Sequence, residues 1–241
     1  MFRFIVAITY AVLAMIFWMP RHWHLRSLAR KNRKKSWEEA AVFVRGFFRR
    51  LLFICGTRIE VRGEENIPDG AVLFVGNHRS YFDIIILQKV LDRPIGFVAK
   101  QEFKKIPLFH HYMDDIGCLY LDRDNVRQGM RTINTGIEYM QDGLSMGLYP
   151  EGTRNHDDTL MEFKTGGYRM AEKSGAPIVL TAATGFDDIF ENNHPGAIKK
   201  KHVVIEFDKP VYVSEMSNSE RKQFYHRIPD RIQEMIDGHK E

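Results

Sequence analysis

One histidine and one aspartate, five positions apart, are the residues of this chain best suited to proton transfer. They lie in Gly76-Asn77-His78-Arg79-Ser80-Tyr81-Phe82-Asp83, directly after the apolar run Val72–Val75. An imidazole can take a proton from an alcohol at neutral pH. A carboxylate bonded to its other nitrogen fixes the tautomer and stabilises the imidazolium that forms. A strand that ends at a histidine and runs into a helix also places it where open α/β sheets bind their ligands. Ser80 and Asp83 have a purely structural reading as well, as a capping box for that helix. The two roles are compatible.

Three more segments share the pattern of an apolar run leaving polar residues at its end. Gly147-Leu-Tyr-Pro-Glu151-Gly152-Thr153-Arg154-Asn155 supplies a glycine for a tight turn, a hydroxyl and a forked guanidinium, a set suited to phosphate oxygens. The plainer reading is a polar turn in which Glu151 pairs with Arg154. Gly117-Cys-Leu-Tyr-Leu-Asp122-Arg123 leaves an Asp-Arg pair, and Gly175 to Gly185 reads as an apolar strand at the sheet centre. His110-His111-Tyr-Met-Asp114-Asp115 has His/Asp pairs four apart, a metal face lacking an evident third ligand, so no metal is expected. With no Gly-x-Gly-x-x-Gly and no phosphate-loop lysine, no nucleotide cofactor is expected either.

The elements that must carry these residues alternate in type. Short apolar runs predict strands at Arg58–Val61, Val72–Val75, Ile95–Ala99, Cys118–Leu121, Met146–Tyr149, Ile178–Ala182 and Val203–Phe207. Helical periodicity predicts helices at Tyr81–Leu91, Gln101–His111, Val126–Gln141, Gly167–Lys173 and Ser219–Asp237. The result is an α/β domain over 57–241, with a mixed, largely parallel central sheet flanked by helices. Pro68-Asp-Gly70 reads as a turn joining the first two strands into an antiparallel pair. The two cysteines, Cys55 and Cys118, read as buried thiols.

Charge singles out the N-terminus. Residues 1–50 hold eleven Lys or Arg against Glu38 and Glu39 alone, so the remainder is net acidic although the whole chain is +4. Such a patch can serve nucleic acid or an anionic membrane. The uncharged run Phe4–Met19 beside it decides for the membrane. Sixteen helical residues reach roughly 24 Å, short of a hydrocarbon core of roughly 30 Å. The run ends at Pro20 and is followed by the basic block Arg21–Lys35. A second, basic amphipathic helix is expected from a capping box at Ser36-Trp-Glu-Glu39 to Gly56, making residues 1–56 a two-helix membrane anchor. The positive-inside bias puts the domain on the cytoplasmic side.

The four segments, in this order from residue 76 to about 185, resemble the sequence blocks of the 1-acylglycerol-3-phosphate acyltransferase family. The chain departs from the usual pattern at Asn155 and at Leu180-Thr181. The resemblance implies phospholipid biosynthesis: a fatty acyl group passes from a coenzyme A or acyl carrier protein thioester to the sn-2 hydroxyl of lysophosphatidic acid. It implies His78 as general base, Asp83 as its partner, and Arg123, Glu151, Gly152, Thr153 and Arg154 as holders of the acceptor phosphate. Lys100, at the end of the third strand, is a candidate for the oxyanion; a solvated lysine is the plainer reading. Two other functions fit less: transfer to glycerol 3-phosphate or another lysophospholipid, and a non-catalytic binder of anionic headgroups. The binder would need the arginines but has no use for His78 beside Asp83.

Overall fold

The computed structural model describes residues 1–122, 125–155, 157 and 159–239. Seven strands form one sheet: β1 (Arg58–Arg62), β2 (Leu73–Gly76), β3 (Ile95–Lys100), β4 (Leu119–Leu121), β5 (Ser145–Leu148), β6 (Ile178–Thr184) and β7 (His202–Phe207). Their order is β1-β7-β6-β2-β5-β3-β4. Every pairing is parallel except β6 with β7. The antiparallel pair is therefore not the one expected at Pro68–Gly70. Residues 63–72 instead carry the chain past two intervening strands, because β1 pairs with β7 at the sheet edge and β2 is central.

The central strands β2 and β6 are buried on both faces, which explains their largely apolar sequences. One face packs against α1 (Phe2–Ala29), α2 (Arg33–Cys55), α3 (Phe82–Val90) and α4 (Phe109–Asp115) through Phe74, Phe97, Ile86, Val44 and Leu25. The other packs against α5 (Val126–Gln141), α6 (Arg169–Ser174) and α7 (Asn218–Gly238) through Leu73, Met146, Leu180, Met170 and Ile232. The helix expected over 101–111 is broken: a 3₁₀ turn at Gln101–Lys105 precedes α4, separated by Ile106-Pro107-Leu108. Proline lacks the amide that a continuous helix would use there.

Both N-terminal expectations need revising in detail. The first helix does not stop at Pro20 but runs on to Ala29, its last turns held by packing on the domain. Asn32, not Ser36, caps α2: its side chain accepts from the Lys35 amide, while Ser36 Oγ donates to the Leu25 carbonyl. Only α1 is long and apolar enough to cross a membrane among the described residues. α2 is not a second such helix, because it carries six Arg and Lys residues, all exposed but the half-buried Arg45, and its apolar stripe, from Trp37 to Cys55, is buried in the domain.

α1 lies along the domain, touching it at both ends. Near the start, Arg3 Nη1 donates to the Cys55 carbonyl at 3.0 Å and the Phe4 ring stacks on Phe190. Further along, Trp18 Nε1 donates to Asp115 Oδ2 at 2.7 Å and His22 Nδ1 meets Oδ1 of the same carboxylate at 2.9 Å. The opposite face exposes Phe2, Ile5, Val12, Leu13, Ile16 and Phe17 to the surroundings. Cys55 and Cys118 are buried and free, and burial pushes the Cys118 thiol up to about 12.

The Asp115 carboxylate is a buried clasp, and removing it leaves an indole N–H and an imidazole without partners. Asp115→Ala should destabilise the protein by about 3 kcal/mol, a fall in melting temperature of roughly 6–12 °C. Limited proteolysis of the same variant should cut α1 sooner than in the parent. An unchanged melt and digest would show that α1 is held by its apolar contacts alone.

Candidate active site

Parallel pairing brings the sequence segments together. Val75 of β2 lies in register with Leu148 of β5, and Phe97 of β3 with Gly147. The loops after β2, β5, β3 and β4 therefore leave the same edge of the sheet. Gly147 sits where any Cβ would press on the Phe97 ring, so close strand packing requires glycine there.

His78 sits in the loop after β2. Its Nδ1 is 2.7 Å from Asp83 Oδ2, and the same oxygen accepts from the amides of Arg79 at 2.8 Å and Ser80 at 3.0 Å. An ionised carboxylate can only accept, so Nδ1 carries the proton and Nε2 presents its lone pair. Nε2 has no hydrogen-bond partner among the described residues. The imidazole lies flat on the Tyr149 ring, with centroids 4.4 Å apart. Burial, and then the Asp83 charge, hold the Tyr149 phenol well above its ordinary range, so this platform stays neutral. The capping box expected at Ser80 is only half formed. Asp83 takes the Ser80 amide, but Ser80 Oγ accepts from Phe82 N and donates to Glu191 Oε2.

The loop after β5 is tied to the His78 backbone from both sides. Glu151 is buried, and its carboxylate accepts from His78 N at 2.8 Å, Asn155 Nδ2 at 3.0 Å and Met161 N at 3.1 Å. Asn155 N in turn donates to the His78 carbonyl at 2.7 Å. These bonds commit the Glu151 oxygens to N–H donors of the two loops. They correct the plainer reading of a Glu151–Arg154 pair. Arg154 instead meets Glu191, Nη1 to Oε1 at 3.3 Å, and lies over the Tyr81 ring. Gly152 turns the loop with a φ of 75°, and Thr153 is exposed beside it. Lys100 is exposed at the end of β3. Arg123 lies outside the described residues.

Several supporting residues are not among those to which the sequence assigns a role. Asn77 braces the loop by exchanging bonds with Ala183 of β6, its Nδ2 to the carbonyl and its Oδ1 from the amide, both 2.9 Å. Asp187 holds the Arg79 guanidinium through Nη2 at 2.8 Å and Nε at 3.1 Å. Glu191 and Tyr149 belong to the same group. Asn155 was visible only as a departure from a pattern, yet it completes the tie between the two loops. The His/Asp face on α4 is otherwise employed, Asp115 by α1 and Asp114 by Tyr120.

Two apolar cavities flank the sheet edge. One, of about 280 Å³, lies between α1, α2, α3 and α4 and is lined by Trp18, Phe47, Tyr81, Ile85, Ala99 and Phe103. The other, of about 360 Å³, lies under α5 and is lined by Ala99, Leu121, Ile133, Leu148, Tyr149 and Gly152, among others. Ala99 borders both.

The family model described as Acyltransferase matches residues 58–182, about half of the chain. A probable 1-acyl-sn-glycerol-3-phosphate acyltransferase of Mycoplasma pneumoniae is 34% identical over 139 residues, covering 56% of this chain and 52% of that protein. The 1-acyl-sn-glycerol-3-phosphate acyltransferase of Saccharomyces cerevisiae is 24% identical over 203 residues, 83% of this chain and 66% of the yeast protein. The chain thus spans between about half and two thirds of the length of these two relatives. The enzyme of the same description from Salmonella typhimurium is 25% identical over 92% of this chain and 86% of its own. Among solved structures, the 1-acyl-sn-glycerophosphate (LPA) acyltransferase PlsC of Thermotoga maritima shares the fold. It has a TM-score of 0.81 at 22% identity and covers 99% of this chain and 95% of that one. On the match that includes His78, Asp83 and Arg154, the chain belongs to the acyltransferase family.

Proposed function

We propose that this protein acylates the sn-2 hydroxyl of lysophosphatidic acid with a fatty acyl thioester, giving phosphatidic acid. The observation that carries the reading is the His78–Asp83 pair with Nε2 left open, beside the loop of Arg154, whose guanidinium lies over Tyr81, a wall of an apolar cavity. His78 Nε2 takes the acceptor's hydroxyl proton as the oxygen attacks the thioester carbonyl carbon. Asp83 stabilises the imidazolium that results. The tetrahedral oxyanion collapses, the carbon–sulfur bond breaks, and the departing thiolate takes the proton back from Nε2. No covalent enzyme intermediate is needed. Lys100, on the same sheet edge, is the candidate to stabilise the oxyanion.

Arg154, with Thr153 and the Gly152 turn, is the candidate phosphate site, and Arg123 joins it by the resemblance. The cavities suit two acyl chains. The one walled by α1 and α2 fits the tail of an acceptor drawn from a bilayer, and the one under α5 fits the acyl chain of the donor. Donors of either kind, coenzyme A or acyl carrier protein thioesters, present the same acyl group.

An apolar α1 makes membrane association plausible, and its packing on the domain at both ends favours a helix lying within one leaflet. Residues 1–56 would then form the membrane-associated part and 57–241 the catalytic part. The basic block 21–35 favours the cytoplasmic face.

Acyl transfer to lysophosphatidic acid, glycerol 3-phosphate and monoacylglycerol, measured in parallel, tests the acceptor. His78→Ala should lower kcat by roughly 10²–10⁴-fold in a folded protein. Asp83→Asn should cost less, with the melting temperature reported beside the rate because Asp83 also holds two amides. Near-normal turnover in folded His78→Ala would remove the histidine from the mechanism.

Arg154→Ala should raise the KM for lysophosphatidic acid roughly tenfold or more, with Arg154→Lys intermediate because it keeps the charge and loses the fork. The small rate with monoacylglycerol should not move. An equal loss with both acceptors would make Arg154 a brace of its loop. Replacing Ile16 and Phe17 of α1 by Glu should shift the protein from liposome-bound to free in flotation. Full retention on liposomes would place the contact elsewhere.

A further inference from the structure

Arg154 is held from two sides, by Glu191, which lies outside every motif, and by Tyr81, a motif residue with no role read from the sequence. Its Nη1 is 3.3 Å from Glu191 Oε1, and its guanidinium carbon lies 3.8 Å from the centroid of the Tyr81 ring. A guanidinium offers five N–H donors in one plane. Among the described residues only Glu191 accepts one, so the other edge of the fork is open to a ligand. Tyr81 also lines the cavity between α1 and α4. The open edge therefore sits where a phosphate joined to an acyl chain would arrive.

Glu191 is itself fixed. Its side chain is 7% exposed. Oε2 accepts from Ser80 Oγ at 2.8 Å and Oε1 from the Tyr81 amide at 2.9 Å. One buried carboxylate thus joins the segment after β6, the start of α3 and the guanidinium of the β5 loop. These three donors share its negative charge, which limits its repulsion of an incoming phosphate. Holding a long side chain in place beforehand removes the entropy that it would otherwise lose on binding.

We propose that Glu191 and Tyr81 are positioning residues that preset Arg154 to receive the phosphate monoester of the acceptor. The proposal rests on the reading of Arg154 as a phosphate site. It assigns Glu191 a role distinct from bracing α3, because the two can be separated by substitution. A glutamine keeps both local bonds, accepting from the Tyr81 amide and donating to Ser80 Oγ, and loses only the charged contact to Arg154. Tyr81→Phe keeps the ring under the guanidinium, and Tyr81→Leu removes it.

The test uses the full chain in detergent micelles, titrated calorimetrically with glycerol 3-phosphate and assayed for transfer to lysophosphatidic acid. Glu191→Gln should weaken glycerol 3-phosphate binding and raise the KM for lysophosphatidic acid by roughly fivefold, with kcat within twofold of the parent. Tyr81→Leu should do the same, and Tyr81→Phe should restore the parent values. In an Arg154→Ala background, Glu191→Gln should change neither quantity further. Unchanged or tighter binding by Glu191→Gln overturns the proposal, as does an equal loss in both backgrounds. So does a fall in kcat accompanied by a lower melting temperature, the mark of a structural brace. A parent protein that binds no glycerol 3-phosphate overturns it as well. A parent that binds it but transfers nothing counts against the enzymatic reading, while the calorimetric comparison still decides this one.

Discussion

The sheet edge that carries His78 depends on a buried carboxylate. Glu151 takes the His78 amide, Asn155 returns a bond to the His78 carbonyl, and together they weld the loops after two parallel strands into one piece. Burying an ionised group is costly unless its lone pairs are used. Here three N–H donors from the two loops use them, so the cost is offset only when the loops are correctly assembled. The imidazole is then oriented by a second buried carboxylate, Asp83, which also holds two amides of the turn that follows. The geometry that the proposed proton transfer needs is thereby set by the fold itself.

The same economy of buried charge recurs across the molecule. Asp115 secures α1 to α4, Asp187 secures Arg79, and Glu191 secures Arg154 and the start of α3. Burial, helped by the Asp114 charge, pushes the Asp115 carboxyl up, and its bonds to Trp18 and His22 work against that shift. Each of these acids joins elements distant in sequence, so each is a condition on the tertiary fold rather than on a helix or a strand. The apolar cavities lie one on each side of the sheet edge, and both are lined by Ala99.

Much of this was written in the sequence. Alternating apolar runs gave the parallel α/β layering, because a strand buried on both faces is largely apolar, as β2 and β6 are. The spacing of His78 and Asp83 is local, five residues within one loop and one helical turn, and so was the pairing it implied. An uncharged N-terminal run beside a basic block marked α1, although its length was underestimated. Pro20 stops a helix only where nothing outside it compensates, and packing against α2 and α4 does so here.

What the sequence could not decide were partnerships across distance. Glu151 and Arg154 are three residues apart and of opposite charge, and still they do not pair. His78, brought alongside by the β2–β5 register, claims the carboxylate, and Glu191, 37 residues on, claims the guanidinium. The strand order likewise separates β1 from β2, since β1 finds its partner in β7 at the far end of the chain. Residue type and local spacing fixed which chemistry the chain carries. Only the fold, by choosing among many possible donors for each buried acid, determined which residues hold that chemistry in place.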